Sequence, residues 1–156
     1  MGLLTAKEVF EFAIKIEENG EYFYRKVSEK FDDTNIKSLF VDLANQELEH
    51  KKVFENMEAR LGNIKISESY PGEFFNYIDE YLKEVIFPES VESEIEKVDT
   101  LDRALNYAIE VELKSILYYK EIIELISEVD KKLINDIINE ERKHFIRLSE
   151  AKASRK

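Results

Sequence analysis

Glu47-Leu48-Glu49-His50 and Glu141-Arg142-Lys143-His144 decide how this chain folds. They contain both of its histidines, and in each a glutamate stands three residues before the imidazole. On a helix, residues three apart share a face one turn apart, so each motif offers a carboxylate and an imidazole to the same point. Both motifs interrupt stripes that are otherwise apolar and helically spaced. One runs Ile36, Phe40, Leu43, Glu47, His50, Phe54, Met57, Leu61; the other runs Ile134, Ile137, Glu141, His144, Leu148, Ala151.

Two more stripes lie upstream of these, each with one glutamate. They are Phe10, Ala13, Glu17, Gly20, Tyr24, Val27, Phe31 and Leu105, Ala108, Glu112, Ser115, Tyr119, Ile122, Ile126. The spacing predicts four long helices, roughly 6–31, 35–61, 101–127 and 130–152. Thr5-Ala6-Lys7-Glu8 has the form of a capping box, Asp32 to Asn35 reads as a turn, Gly62 stops the second helix and Thr100 caps the third. Between the hairpins, residues 63–100 form a crossover. It holds Pro71-Gly72 and a short aromatic helix over roughly 73–87 (Phe74, Phe75, Tyr77, Tyr81), which Pro88 ends. The acidic run Glu89 to Glu96 reads as a solvated loop, and the tail Ser154-Arg155-Lys156 as frayed. The fold expected is all-α, an antiparallel four-helix bundle with one long crossover containing a short extra helix, in a single domain over 1–156.

The halves repeat. An offset of 95 maps Ala13, Glu17 and Tyr24 onto Ala108, Glu112 and Tyr119, and an offset of 94 maps Asp42, Asn45, Glu47 and His50 onto Asp136, Asn139, Glu141 and His144. An internal duplication with pseudo-two-fold symmetry follows. Within each hairpin the lone glutamate and the Glu-x-x-His pair stand equally far from the turn, so all six groups are expected in one layer.

Composition narrows the function. A net charge of −11 argues against nucleic acid, no uncharged run approaches membrane-spanning length, and the start lacks a signal-like apolar core. A cytoplasmic location is expected. With no cysteine, the chain contains neither disulfides nor a four-cysteine iron centre.

A buried carboxylate without a partner costs several kcal/mol. Lys and Arg are absent from all four stripes, so a bound cation is the simplest compensation. Glu17, Glu47, His50, Glu112, Glu141 and His144 supply four carboxylates and two imidazoles, which balance two divalent ions and suit iron or manganese. Tyr24 and Tyr119, seven residues after Glu17 and Glu112, are the candidate catalytic residues, placed to hydrogen-bond ligand carboxylates and to pass protons or electrons; the alternative is that they only fill the bundle. Gly20 and Ser115 are small residues beside the ligands. Glu18, Glu49 and Glu140 adjoin ligands but point about 100° away, which makes them outer-face charges. Asp42 and Asp136, eight residues before each histidine, read as solvated surface charges, with orientation of an imidazole on a neighbouring helix as the alternative.

Taken together, Ala13-x-x-x-Glu17 with Phe23-Tyr24, Glu47-x-x-His50, Ala108-x-x-x-Glu112 with Tyr118-Tyr119, and Glu141-x-x-His144 resemble the rubrerythrin branch of the ferritin-like di-iron carboxylate superfamily. The similarity spans roughly residues 6–62 and 100–151. It implies a ferritin-like bundle holding two iron ions on the six residues named, and peroxide reduction with electrons from a rubredoxin-like domain. Two departures stand out: no rubredoxin-type cysteines are present, and Ser115 occupies the position where rubrerythrins carry an extra carboxylate. The expected function is a redox enzyme that reduces peroxide or dioxygen with a separate electron-donor protein, working as a homodimer or higher homo-oligomer. The alternatives are a ferroxidase for iron storage or detoxification and a non-enzymatic, metal-stabilised interaction protein.

Overall fold

The computed structural model describes residues 5–62 and 73–155, apart from the side chains of Phe74 and Phe75. Four long helices make the bundle: α1 (Ala6–Lys30), α2 (Thr34–Leu61), α5 (Leu101–Ile123) and α6 (Glu128–Ala153). Two short ones, α3 (Glu73–Tyr81) and α4 (Val91–Lys97), lie in the crossover, with a π-helical turn over Leu82–Ile86 between them. The Pro71-Gly72 turn, the paired phenylalanines and Lys156 lie outside the described residues.

Local chemistry sets the helix ends. The Thr5 side chain accepts from the Glu8 amide while the Glu8 carboxylate accepts from the Thr5 amide, which completes the capping box. Asp33 caps α2 through the Ile36 amide, and Thr100 caps α5 through the Arg103 amide. The second hairpin turns earlier than the sequence predicts, with α5 ending at Ile123 and α6 opening at Glu128. Leu125 and Ile126 instead make tight turn bonds to Ile122 and Ile123, and the Ser127 hydroxyl donates to Asp130 inside the first turn of α6.

Two expectations for polar segments are corrected. The acidic run is a helix over most of its length, not a loop. Ser90 caps it through the Ser93 amide, and Glu92 and Glu94 fall in its first turn, where the helix dipole favours negative charge. The Lys30 ammonium donates to the Ile95 and Val98 carbonyls and ties α4 to the end of α1. The tail does not fray at once either: α6 runs to Ala153, and the Arg155 guanidinium reaches Asp102 and Asp33.

α1 packs chiefly on α2, and α5 on α6. Their apolar stripes form two buried clusters. One gathers Phe10, Phe54, Met57, Tyr119, Ile122 and Ile134; the other gathers Tyr24, Val27, Phe40, Leu43, Leu105 and Leu148. The second cluster joins the C-terminal half of α1 to the N-terminal half of α5, so those helices run antiparallel and the two hairpin turns lie at opposite ends. Between the clusters, at mid-height, lies a polar layer.

Candidate metal centre

That layer contains Glu17, Glu47, His50, Glu112, Glu141 and His144, none more than 4% exposed. The pseudo-two-fold arrangement brings all six together from four helices. Two overlapping sets place their ligand atoms within 4.8 Å of one another: Glu17, Glu47, His50 and Glu141, and Glu47, Glu112, Glu141 and His144. Glu47 and Glu141 belong to both. Glu17 with His50, and Glu112 with His144, belong to one each.

Both imidazoles turn Nδ1 inward. His50 Nδ1 lies 2.8 Å from Glu141 Oε1 and 3.6 Å from Glu17 Oε2; His144 Nδ1 lies 3.3 Å from Glu47 Oε1 and 3.5 Å from Glu112 Oε1. The rings are near-parallel, their centroids 5.6 Å apart. Glu17 Oε2, Glu112 Oε2, Glu141 Oε2 and His144 Nδ1 are buried without a hydrogen-bond partner. Orphaned buried polar atoms are costly, and here they converge on one place from three helices. That convergence is the observation that fits a bound cation pair, and the donor set, oxygen-rich with one nitrogen per position, suits iron or manganese.

Residues 8–105 match the Rubrerythrin family. The chain belongs to the rubrerythrin family. A solved structure from Thermotoga maritima, described as a candidate ferritin-like diiron-carboxylate protein, is 30% identical with a TM-score of 0.72, and the match covers 100% of this chain and 99% of that one. No curated protein sequence matches the chain. The bundle is therefore ferritin-like, and the Glu/His layer of this rubrerythrin-family chain occupies its core.

The tyrosines cross over. Tyr24 Oη donates to Glu112 Oε1 at 2.6 Å, and Tyr119 Oη to Glu17 Oε1 at 2.5 Å, so each phenol serves the glutamate of the other half. Helical side chains lean toward their own N-terminus. Because α1 and α5 are antiparallel, Tyr24 and Glu112 lean toward each other, whereas Glu17 leans away from Tyr24. Burial, then the charge of Glu112 or Glu17, pushes both phenols well up, so they remain neutral donors. Tyr24→Phe leaves Glu112 Oε1 short of its donor and is expected to cost about 1.5–3 kcal/mol in the metal-free protein, the range for a bond to a charged group, measured by chemical denaturation.

Without metal the layer stores protons. Burial, then the charges of Glu141 and Glu17, pushes the Glu47 carboxyl well up; burial, then Glu112 and Glu17, does the same for Glu141. Burial opposes ionisation of Glu17 and Glu112 too, but hydrogen bonds outweigh it. Those from Glu47, His50 and Tyr119 hold Glu17 down, and those from Glu141, His144 and Tyr24 hold Glu112 at about 2. Each pair of neighbouring carboxyls thus shares one proton. Burial would deprotonate the imidazoles, yet the carboxylates packed around each Nδ1 prevail. They raise His50 strongly and push His144 up to about 12. Two carboxylates then face two imidazolium ions, and the layer is neutral.

The outer nitrogens carry a correction. Glu140 is not simply an outer-face charge: its carboxylate lies 2.6 Å from His50 Nε2. His144 Nε2 meets Gln46 Oε1 at 2.7 Å. Gln46 and Glu140 are related by the same offset of 94 that relates the two motifs, and each precedes a glutamate shared by both ligand sets. That repeat was the signal available in the sequence. Asp42 also has more than a solvated role, since it accepts from Gln46 at 3.0 Å and from Arg147 at 2.6 Å. Glu18 and Glu49 pair with Lys51 and Lys52 on the outside.

Ser115 turns its hydroxyl to the Val111 carbonyl, 2.9 Å away. Gly20 and Ser115 line a cleft of about 50 Å³ between α1 and α5, with Phe87 and Pro88 of the crossover also in its wall. A Cβ on Gly20 would stand 3.5 Å from Glu47 Cγ and 3.7 Å from its Oε2. Glycine therefore brings the cleft close to the layer's shared carboxylate.

Proposed function

We propose that this chain is a di-iron carboxylate oxidoreductase that reduces hydrogen peroxide or dioxygen in the bundle core, with electrons from a separate donor protein. The observation that carries it is the pair of overlapping ligand sets, in which one oxygen each of Glu17, Glu112 and Glu141 and the Nδ1 of His144 are buried without a partner. Glu47 and Glu141, which belong to both sets, would be shared by the two ions. Glu17 with His50, and Glu112 with His144, would each hold one ion. Bound as a ferrous pair, iron supplies one electron per ion, so one peroxide and two protons leave as two waters, and dioxygen takes the same two electrons to the level of peroxide.

The protein's own part is to hold and exclude. Nε2–H bonds to Glu140 and Gln46 fix the tautomer that presents Nδ1 inward. Tyr24 and Tyr119 hold the terminal carboxylates in place from opposite sides. The apolar clusters above and below keep bulk water out. The cleft at Gly20 is the path for the oxidant. Its wall reaches Gly20, where a Cβ would stand only 3.5 Å from Glu47, so a small oxidant such as peroxide or dioxygen entering there arrives beside the shared carboxylate.

Stopped-flow oxidation of the iron-loaded protein by peroxide and by dioxygen, followed by turnover with a chemical reductant, tests this reading. Rapid oxidation with catalytic turnover is expected; iron that stays ferrous under both oxidants contradicts it. Gly20→Ala, whose Cβ would meet Glu47 at the ordinary contact distance of 3.5 Å, is expected to retain its metal and to slow oxidation by narrowing the cleft. An unchanged rate would place the entry path elsewhere.

A further inference from the structure

The pseudo-symmetry of the layer is broken where the imidazoles meet their outer partners. Where His50 Nε2 meets the carboxylate of Glu140, His144 Nε2 meets the amide of Gln46. The two surroundings differ further outward. The Gln46 amide donates to Asp42, whose charge is matched by the Arg147 guanidinium at 2.6 Å, so that arm is neutral overall. The ion pair that Glu140 makes among the described residues is with His50 itself. One imidazole is thus backed by a net negative charge and the other by none.

From this difference we infer that the two metal positions are unequal. The position of Glu17 and His50 binds a divalent ion more tightly and fills first, with Glu140 as its positioning residue. A carboxylate accepting the outer N–H of a ligand imidazole makes the inner nitrogen a stronger donor and fixes the ring. A neutral amide fixes the ring but adds less to its basicity. Glu140 is half-exposed, so its influence passes through the hydrogen bond to His50 and not through a long-range field, which solvent would screen. The carboxylate and imidazole ligands are the same in type at both positions, and Glu140 and Gln46 are the outer partners of the imidazoles, which differ in charge.

The inference rests on the two-metal reading and needs no redox chemistry, so a cobalt(II) titration of the metal-free protein tests it, followed by absorbance and calorimetry. The wild type is expected to take up cobalt in two steps. Mutual repulsion of the ions also separates such steps, so the informative quantity is the change in their separation. Glu140→Gln is expected to weaken the first step by about 10–100-fold, the usual effect of an outer partner, and to narrow the gap. Gln46→Glu narrows it from the other side by strengthening the second step. The double exchange Gln46→Glu/Glu140→Gln restores the gap with the positions reversed, which a merely structural effect would not do. A gap unchanged in both single variants, or one that the double exchange fails to restore, overturns the inference. Failure of the wild type to bind cobalt at all would instead refute the two-metal reading.

Discussion

Glu47→Gln and Glu141→Gln are each expected to strip metal from both positions, whereas Glu17→Gln and Glu112→Gln each disable one. The difference follows from membership: Glu47 and Glu141 belong to both ligand sets, and the other two glutamates to one each. Changes to outer partners alone cost about 10–100-fold in affinity, so loss of a direct ligand should exceed that, at two positions for the bridging residues and at one for the terminal ones. The amide is the right substitution because Glu47 and Glu141 hold protons in the metal-free layer. Glutamine copies that neutral form, and the bundle should fold as before. Metal analysis after anaerobic loading reads the result. Equal losses in all four variants would mean that the bridging assignment is wrong.

Loading two divalent ions at neutral pH is expected to release about four protons per chain, two from the carboxyls of Glu47 and Glu141 and two from the imidazoliums of His50 and His144. Metal therefore replaces protons in a layer that is neutral in both states. The pH dependence has a definite sign. His50, His144, Glu47 and Glu141 all have raised values in the folded, metal-free chain, so that chain binds more protons than the unfolded one. For the histidines this stabilisation is fully present below their ordinary 6.5 and is lost as pH rises toward the folded values; for the carboxyls the loss begins above 4.5. Glu17 and Glu112 work in the opposite sense, and their contribution is lost as pH falls below 4.5 toward the depressed values. Metal-free protein should thus weaken from mildly acidic to alkaline pH, while metal binding strengthens as protons cease to compete. The gap in melting temperature between loaded and metal-free protein should widen from about pH 5.5 to 8. An ion present at about a thousand times its Kd adds about 4 kcal/mol. A gap that narrows with pH, or loading without proton release in a buffer-corrected titration, would contradict this description of the layer.

Much of this structure was legible in the residues because two kinds of regularity coincide. Helical spacing of apolar positions sets the four long helices, and placing Glu and His inside those stripes marks the layer. The parts that were not legible depend on relations between helices. Glu140 points about 100° from Glu141 on its own helix, but that direction leads to the seam with α2, where His50 presents its outer nitrogen. The crossed tyrosine pairs follow from the antiparallel sense of α1 and α5, which no single stripe contains. In α4, a high density of charge hid an ordinary helix start: Ser90 as the cap with acids in the first turn. The cleft at Gly20 needed the crossover to be in place, because Phe87 and Pro88 form part of its wall.

The most direct test of the central claim is anomalous diffraction from crystals of the iron-loaded protein, recorded at the iron edge. Two peaks are expected, about 3.5–4 Å apart as in other two-metal sites, both between Glu47 and Glu141, one beside His50 Nδ1 and the other beside His144 Nδ1. A single peak, or iron bound only on the acidic outer faces with this layer empty, would contradict it.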